Sequence, residues 1–167
     1  MSERSERGNP PNIAIRPINL SDSLLLLSWR NHPDVRRWSR DIGEIRFDTH
    51  QQWFNDWISG QRQKGFFFVI EHLDNPVGMI RFDLKTINSF EISISVDSSF
   101  QGKGIAKAAI IAAINEIKVD FTELTILASI HEKNLPSIEL FKRLEFEHTG
   151  KSGDFLELSR DFLSEDF

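Results

Sequence analysis

Between Phe66 and Val96 the chain carries three apolar stretches: Phe66 to Ile70, Val77 to Leu84 and Phe90 to Val96. They are parted only by turn-forming residues at Asp74-Asn75-Pro76 and Ile87-Asn88-Ser89. Connections this short admit antiparallel pairing alone, because a parallel pair needs a crossover of about a dozen residues. In the third stretch Phe90, Ile92, Ile94 and Val96 alternate with Glu91, Ser93 and Ser95, the period of a strand with one apolar face. Directly afterwards, from about Lys103 to Lys118, comes a segment rich in alanine and isoleucine and apolar nearly all round. Such a helix is buried on more than one side. An antiparallel sheet against a buried helix is therefore the frame that the remaining elements must join.

Those elements read as follows. Ile13, Ile15 and Ile18 mark a first short strand, and Ser21 or Asp22 offers an N-cap to a helix carrying Leu24 to Leu27 and Trp29. Asn31-His32-Pro33-Asp34 restarts a helix, and Thr49-His50-Gln51-Gln52 fits a capping box ahead of Trp53, Phe54, Trp57 and Ile58 on one helical face. Glu123 to Ile130 is a further strand and Leu135 to Leu144 a helix. Phe146 to Thr149 and Phe155 to Leu158 form a last hairpin around Gly150 to Gly153. The expected class is α/β (α+β), with a mixed, mostly antiparallel seven-stranded sheet and about four helices. No repeat or linker divides the chain, so residues 13–163 are expected to form a single domain behind a disordered lead-in over 1–12.

The 167 residues are long enough for one real core. A formal net charge of -5 argues against a general affinity for nucleic acid or an anionic membrane. The absence of cysteine excludes disulfides, thiolate metal sites and a cysteine nucleophile. The five histidines are scattered, with none at metal-ligand spacing, so no metal is expected. The first dozen residues have no apolar core of a signal peptide, and no apolar run reaches spanning length, so a cytoplasmic protein is expected.

Chemistry concentrates where the third strand meets the apolar helix. In Gln101-Gly102-Lys103-Gly104-Ile105-Ala106 two glycines clear side-chain bulk from the backbone, and the first amides of a helix have no internal acceptors. With the helix dipole and Lys103 and Lys107 beside them, these amides suit a pyrophosphate. A glycine turn serving backbone geometry alone is the plain alternative. Neither the P-loop pattern nor the dinucleotide fingerprint fits, since a lysine stands where the latter needs a third small residue.

This hexapeptide resembles the Gln/Arg-x-x-Gly-x-Gly/Ala acyl-CoA signature of the GNAT superfamily of N-acetyltransferases. A second block, Asn134 to Phe146, is similar to that family's Asn-x-x-Ala/Ser-x-x-Leu-Tyr-x-x-x-Gly-Phe segment. The resemblance covers about residues 13–160 and implies acetyl transfer from acetyl-coenzyme A to a primary amine. It implies that the strand through Ser95 and Val96 binds the pantetheine arm. The turn Gln101, Gly102, Lys103, Gly104, Ile105, Ala106 and Lys107 would hold the pyrophosphate, with Asn134, Ser137 and Phe141 on the far side of the groove. Asn134 also suits a helix N-cap, and Phe141 plain core packing. Two positions depart from the pattern. Glu145 replaces a glycine, and Phe141 stands where many members carry a tyrosine proposed to protonate the leaving thiolate; the chain has no tyrosine at all.

A primary amine, protonated at neutral pH, must lose a proton before it attacks. Glu91, which shares a strand face with Ser93 and Ser95, is the expected base, acting through water. The competing reading pairs it with Arg81 on the neighbouring strand. For the acceptor, Trp29 to Trp38 gathers arginines and indoles suited to a phosphorylated, ring-bearing molecule. This segment resembles a Trp-Arg-Asn-x-x-x-Val-Arg pattern of acetyltransferases acting on nucleotide-linked amino sugars in the pseudaminic-acid pathway. The resemblance marks Trp29, Arg30, Asn31 and Arg36, with Arg81, as substrate-binding. An acceptor at a protein N-terminus and a non-catalytic acyl-CoA sensor are the other readings. Either a monomer or a homodimer is compatible with the sequence.

Overall fold

In the computed structural model, which describes residues 12–60 and 65–163, a seven-stranded sheet organises the chain. The expected lead-in over residues 1–12 falls almost wholly outside the described residues. The strands are β1 (Ile13–Pro17), β2 (Gly65–His72), β3 (Asn75–Thr86), β4 (Ser89–Val96), β5 (Glu123–His131), β6 (Glu147–Ser152) and β7 (Phe155–Leu163). They lie side by side in the order β1-β2-β3-β4-β5-β7-β6, and every pair is antiparallel except β4 with β5. Five helices join them: α1 (Ser23–Asn31), α2 (Pro33–Arg36), α3 (Phe47–Ile58), α4 (Ile105–Ile117) and α5 (Leu135–Arg143). The mixed, mostly antiparallel sheet of the sequence reading is therefore the observed one, with five helices instead of about four.

Alternation along the strands divides the apolar residues between two layers. One face, including Phe68, Ile70, Ile80, Phe82, Ile92, Ile126 and Ala128, packs against α4 and α5 in the main core. Ala109, Ile110 and Ala113 of α4 are fully buried there, as expected of a helix apolar on most sides. The other face meets α1 and α3 through a smaller cluster of Leu26, Trp29, Phe54 and Phe67, with Trp53, Trp57 and Met79 at its margin. Completely burying a side chain the size of phenylalanine or isoleucine stabilises by about 1.5–3 kcal/mol, so the α4 face contributes most of the folding free energy.

Several local expectations are corrected. Helix α3 opens at Phe47 with Arg46 in the cap position, so Thr49 lies inside the helix and caps nothing. The reason is its apolar face, which reaches back to buried His50 against Trp53 and Phe54. A 3-10 turn at Leu20–Asp22, capped by Asn19, precedes α1. The Asp22 carboxylate, expected as a cap for α1, takes two bonds from Arg16 at 2.8 Å instead. The first tight turn sits at Leu73-Asp74, both with positive φ, and Asn75 and Pro76 belong to β3 through a bulge at Ile70/Glu71. The last hairpin turns at Gly153-Asp154, so β6 runs on through Gly150 and Lys151.

Candidate active site

Strand β4 ends at Val96, and the next nine residues are built to leave amides free. Asp97 caps a 3-10 turn (Ser98–Phe100) by accepting from the Ser99 amide at 2.9 Å, and it accepts from the Trp29 indole at 3.3 Å. The Ser99 amide holds the Asp97 carboxyl below the usual carboxylate range. Gln101 donates its side-chain amide to the Val96 carbonyl at 3.1 Å, drawing the turn closed. Gly102 and Gly104 then adopt φ of 75° and 77°, a left-handed conformation that costs other L-residues about 1–2 kcal/mol. The first helical amide with a backbone acceptor is that of Ala108, bonded to Gly104 at 3.2 Å. Among the described residues none accepts from the amides of Gly102 through Lys107.

This turn fits a diphosphate. Gly104 has no side chain to cap α4, and a Cβ at Gly102 would meet nothing within 4 Å, so the space before the amides is open. Lys103 and Lys107 are exposed beside them, with Lys103 Nζ 5.1 Å from the Phe100 ring centroid. Free amides, a thirteen-residue helix dipole and two ammonium groups together favour an anion.

Behind the turn the sheet opens. β4 and β5 pair only through Ser89–Glu91 and Thr125–Leu127, yet β4 runs on to Val96 and β5 to His131. Past Glu91 and Leu127 the two strands part, leaving facing backbone edges with room for an extended chain. Helix α5 flanks the far side, where Asn134 caps it through the Ser137 amide at 3.4 Å. Phe141 is buried and meets Phe146 edge-to-face at 5.0 Å, so it is a core residue. It has no proton to give. Glu145 holds a φ of 62° at the end of α5, where the family pattern has glycine.

On the α1–α3 face Glu91 ion-pairs with Lys85 at 3.3 Å. The anticipated Glu91–Arg81 pair does not form, because the register sets Asp83 opposite Glu91 and Ser93 opposite Arg81. Arg81 bonds Asp83 at 3.0 Å and lies against the rings of Trp53 and Phe67. The residues expected to bind the acceptor largely hold the connection between α2 and α3. Asn31 exchanges two 2.8 Å bonds with the backbone of Ile45, Arg30 donates to the Asp41 carbonyl, and Arg36 donates to the Ile42 carbonyl. Arg30 Nη1 is buried without a partner among the described residues, and burial pushes its guanidinium down from its ordinary value.

From that connection Trp38 and Arg40 reach across to β5 and β7. The Trp38 ring lies 5.5 Å from that of His131, and Arg40 donates to Ser129 Oγ at 2.6 Å. The sequence reading did not find these contacts. Arg40 and Ser129 are 89 positions apart, and the only signal was a serine among apolar neighbours on β5. Among the described residues no cluster of side chains could hold a metal ion, and no helix is long and apolar enough to cross a membrane.

A splayed parallel pair with a free-amide turn at its mouth defines an acyl-CoA-type site. Residues 12–147 match the acetyltransferase (GNAT) domain, and the chain belongs to that family, whose standard co-substrate is acetyl-coenzyme A. It is 33% identical over 103 residues to an uncharacterised N-acetyltransferase of Methanocaldococcus jannaschii, covering 58% of this chain and 45% of that one. It is 23% identical over 142 residues to the acetyltransferase PseH of Campylobacter jejuni, covering 83% and 85%. The chain spans less than half the length of the Methanocaldococcus proteins it matches. A solved domain from Methanocaldococcus jannaschii shares the fold, with a TM-score of 0.80 at 23% identity over 91% of this chain and 99% of that one.

Proposed function

We propose that this chain transfers an acetyl group from acetyl-coenzyme A to the primary amine of a nucleotide-linked amino sugar. The observation that carries the reading is the run of unpartnered amides from Gly102 to Lys107, set at the mouth of the β4–β5 gap. Gly102, Gly104 and Ala106 would hold the pyrophosphate, with Lys103 and Lys107 neutralising its charge. The edges of Ser95 and Val96 would hold the pantetheine arm, with Asn134 and Ser137 opposite. Acetyl-coenzyme A supplies the activated acyl group. With Phe141 in the core and no tyrosine in the chain, the thiol must leave without a phenol beside it. A thiol pKa of about 8.5 permits departure without full protonation.

Glu91 is the proposed base, working through water beside the point where the strands part. Glu91→Gln is expected to cut turnover at neutral pH about tenfold or more while leaving the Kd for acetyl-coenzyme A unchanged. Unaltered turnover would remove Glu91 from the mechanism. The sugar-nucleotide acceptor is supported by the Trp29-Arg30-Asn31 and Val35-Arg36 residues and by the relation to PseH along most of both chains.

Calorimetric titration with coenzyme A tests the donor site, and an affinity in the micromolar range is expected. Thiol release from acetyl-coenzyme A is then followed against nucleotide-linked amino sugars, peptide N-termini and polyamines. Fastest release with the sugar nucleotides supports the acceptor assignment, and a clear preference for another amine overturns it. No binding of coenzyme A at all would overturn the whole reading.

A further inference from the structure

The β5–β7 wall of the gap carries a group of side chains that this reading leaves unused. Ser129 stands two residues beyond Leu127, the last β5 residue paired with β4, and shares its face of the strand. It therefore sits where the gap begins. Glu157 lies opposite Ser129 in the β5–β7 register and accepts from Ser129 Oγ at 2.8 Å. Phe155 follows two residues away on the same face. Arg40 closes the group: Nη2 is 2.6 Å from Ser129 Oγ and 3.6 Å from Glu157 Oε1, and Cζ lies 5.4 Å from the Phe155 ring centroid.

A carboxylate, a hydroxyl oxygen and an aromatic face are the elements from which a cation site is made. We propose that Ser129, Glu157 and Phe155 form the subsite for the protonated amine of the acceptor, and that Arg40 fills it until the acceptor displaces it. The inference rests on the gap being the acetyl-donor site, since that places Ser129 beside the transferable group. A primary ammonium brings three donors, enough to satisfy Ser129 Oγ and the Glu157 carboxylate together. Arg40 is suited to occupy an acetylation site without being consumed, because its guanidinium stays protonated at all working pH values. Its side chain is 58% exposed, so withdrawing it sacrifices only a surface ion pair.

The test titrates the full chain, with and without coenzyme A, with n-propylammonium chloride and reads the amide shifts of Ser129, Phe155 and Glu157. Saturable shifts at all three are expected. Arg40→Ala should reach half-saturation at an ammonium concentration about fivefold lower, the weight of one exposed ion pair. Glu157→Gln, or Ser129→Ala should the former fail to fold, should require about tenfold more. The proposal is overturned if Arg40→Ala responds no better than the Arg40→Ala/Glu157→Gln double variant, or if the shifts cluster elsewhere. Coenzyme A binding with no response to the ammonium sinks the subsite alone, whereas absent coenzyme A binding sinks the donor site and leaves the ammonium titration readable.

Discussion

Glu145 holds a left-handed conformation that a side chain disfavours, immediately after α5. Such a position follows a helix end and is ordinarily given to glycine. Here the strain is partly offset by a 2.8 Å ion pair with Arg160, but the Glu145 side chain is 76% exposed and such pairs contribute little. Arg160 also donates to the Leu144 carbonyl at 2.7 Å, so it stays anchored without the carboxylate. Relief of left-handed strain, about 1–2 kcal/mol, then outweighs both the pair and the entropy that glycine adds to the unfolded chain. Glu145→Gly is therefore expected to stabilise the protein by about 0.5–1 kcal/mol, read as a higher denaturant midpoint with an unchanged slope. A lower midpoint would mean that the Arg160 pair, not the backbone, dominates at this residue.

Elements whose identity depends on a local rule were readable from the sequence. The three antiparallel strands follow from a period of two and short connections, and the turn before α4 from two glycines between a strand and an apolar helix. What escaped depended on partners far away in sequence. Asp22 was an available cap until Arg16 from β1 claimed its carboxylate, and Glu91 was an available partner for Arg81 until the register gave Arg81 to Asp83. The connection between α2 and α3 is the clearest case, because its shape is imposed by Asn31, fourteen positions from Ile45. Asn31→Ala removes both bonds and leaves an amide and a carbonyl of Ile45 to find water, a cost of about 1–3 kcal/mol. Asn31→Asp retains an acceptor for the Ile45 amide but loses the donor, so its cost should fall in between. Chemical denaturation measures the order, and faster hydrogen exchange at Ile45 should follow it. Equal stability of all three proteins would show that the connection is held by Arg30 and Arg36 alone.

The whole molecule has one acid-sensitive joint between its α1–α3 layer and the rest of that layer's helices. His50 is 4% exposed, lies near the rings of Trp53 and Phe54, and sets Nε2 2.9 Å from the Ser23 carbonyl. A ring nitrogen facing a carbonyl must carry the hydrogen, so the Nε2–H tautomer donates from α3 to α1. Burial pushes the imidazole below its ordinary value of 6.5, with the Ser23 carbonyl opposing the shift only in part. The sign follows from proton counting: below pH 6.5 the unfolded chain binds a proton that the folded chain refuses. Stability contributed by neutral His50 is therefore complete above that pH and declines as pH falls toward the folded-state value. Asp22 adds a second loss at lower pH, because the bonds from Arg16 hold its carboxyl below its ordinary value of 3.8. Its contribution is complete above that pH and vanishes as the folded-state value is crossed. Urea unfolding measured between pH 7.5 and pH 5, limits set about one unit either side of the histidine range, should show stability falling with acid. In His50→Gln, which keeps an amide donor for Ser23 but does not titrate, that slope should flatten while the loss below pH 4, near the ordinary aspartate value, persists. An unchanged slope in the variant would assign the acid sensitivity to other groups and leave the α1–α3 joint indifferent to pH.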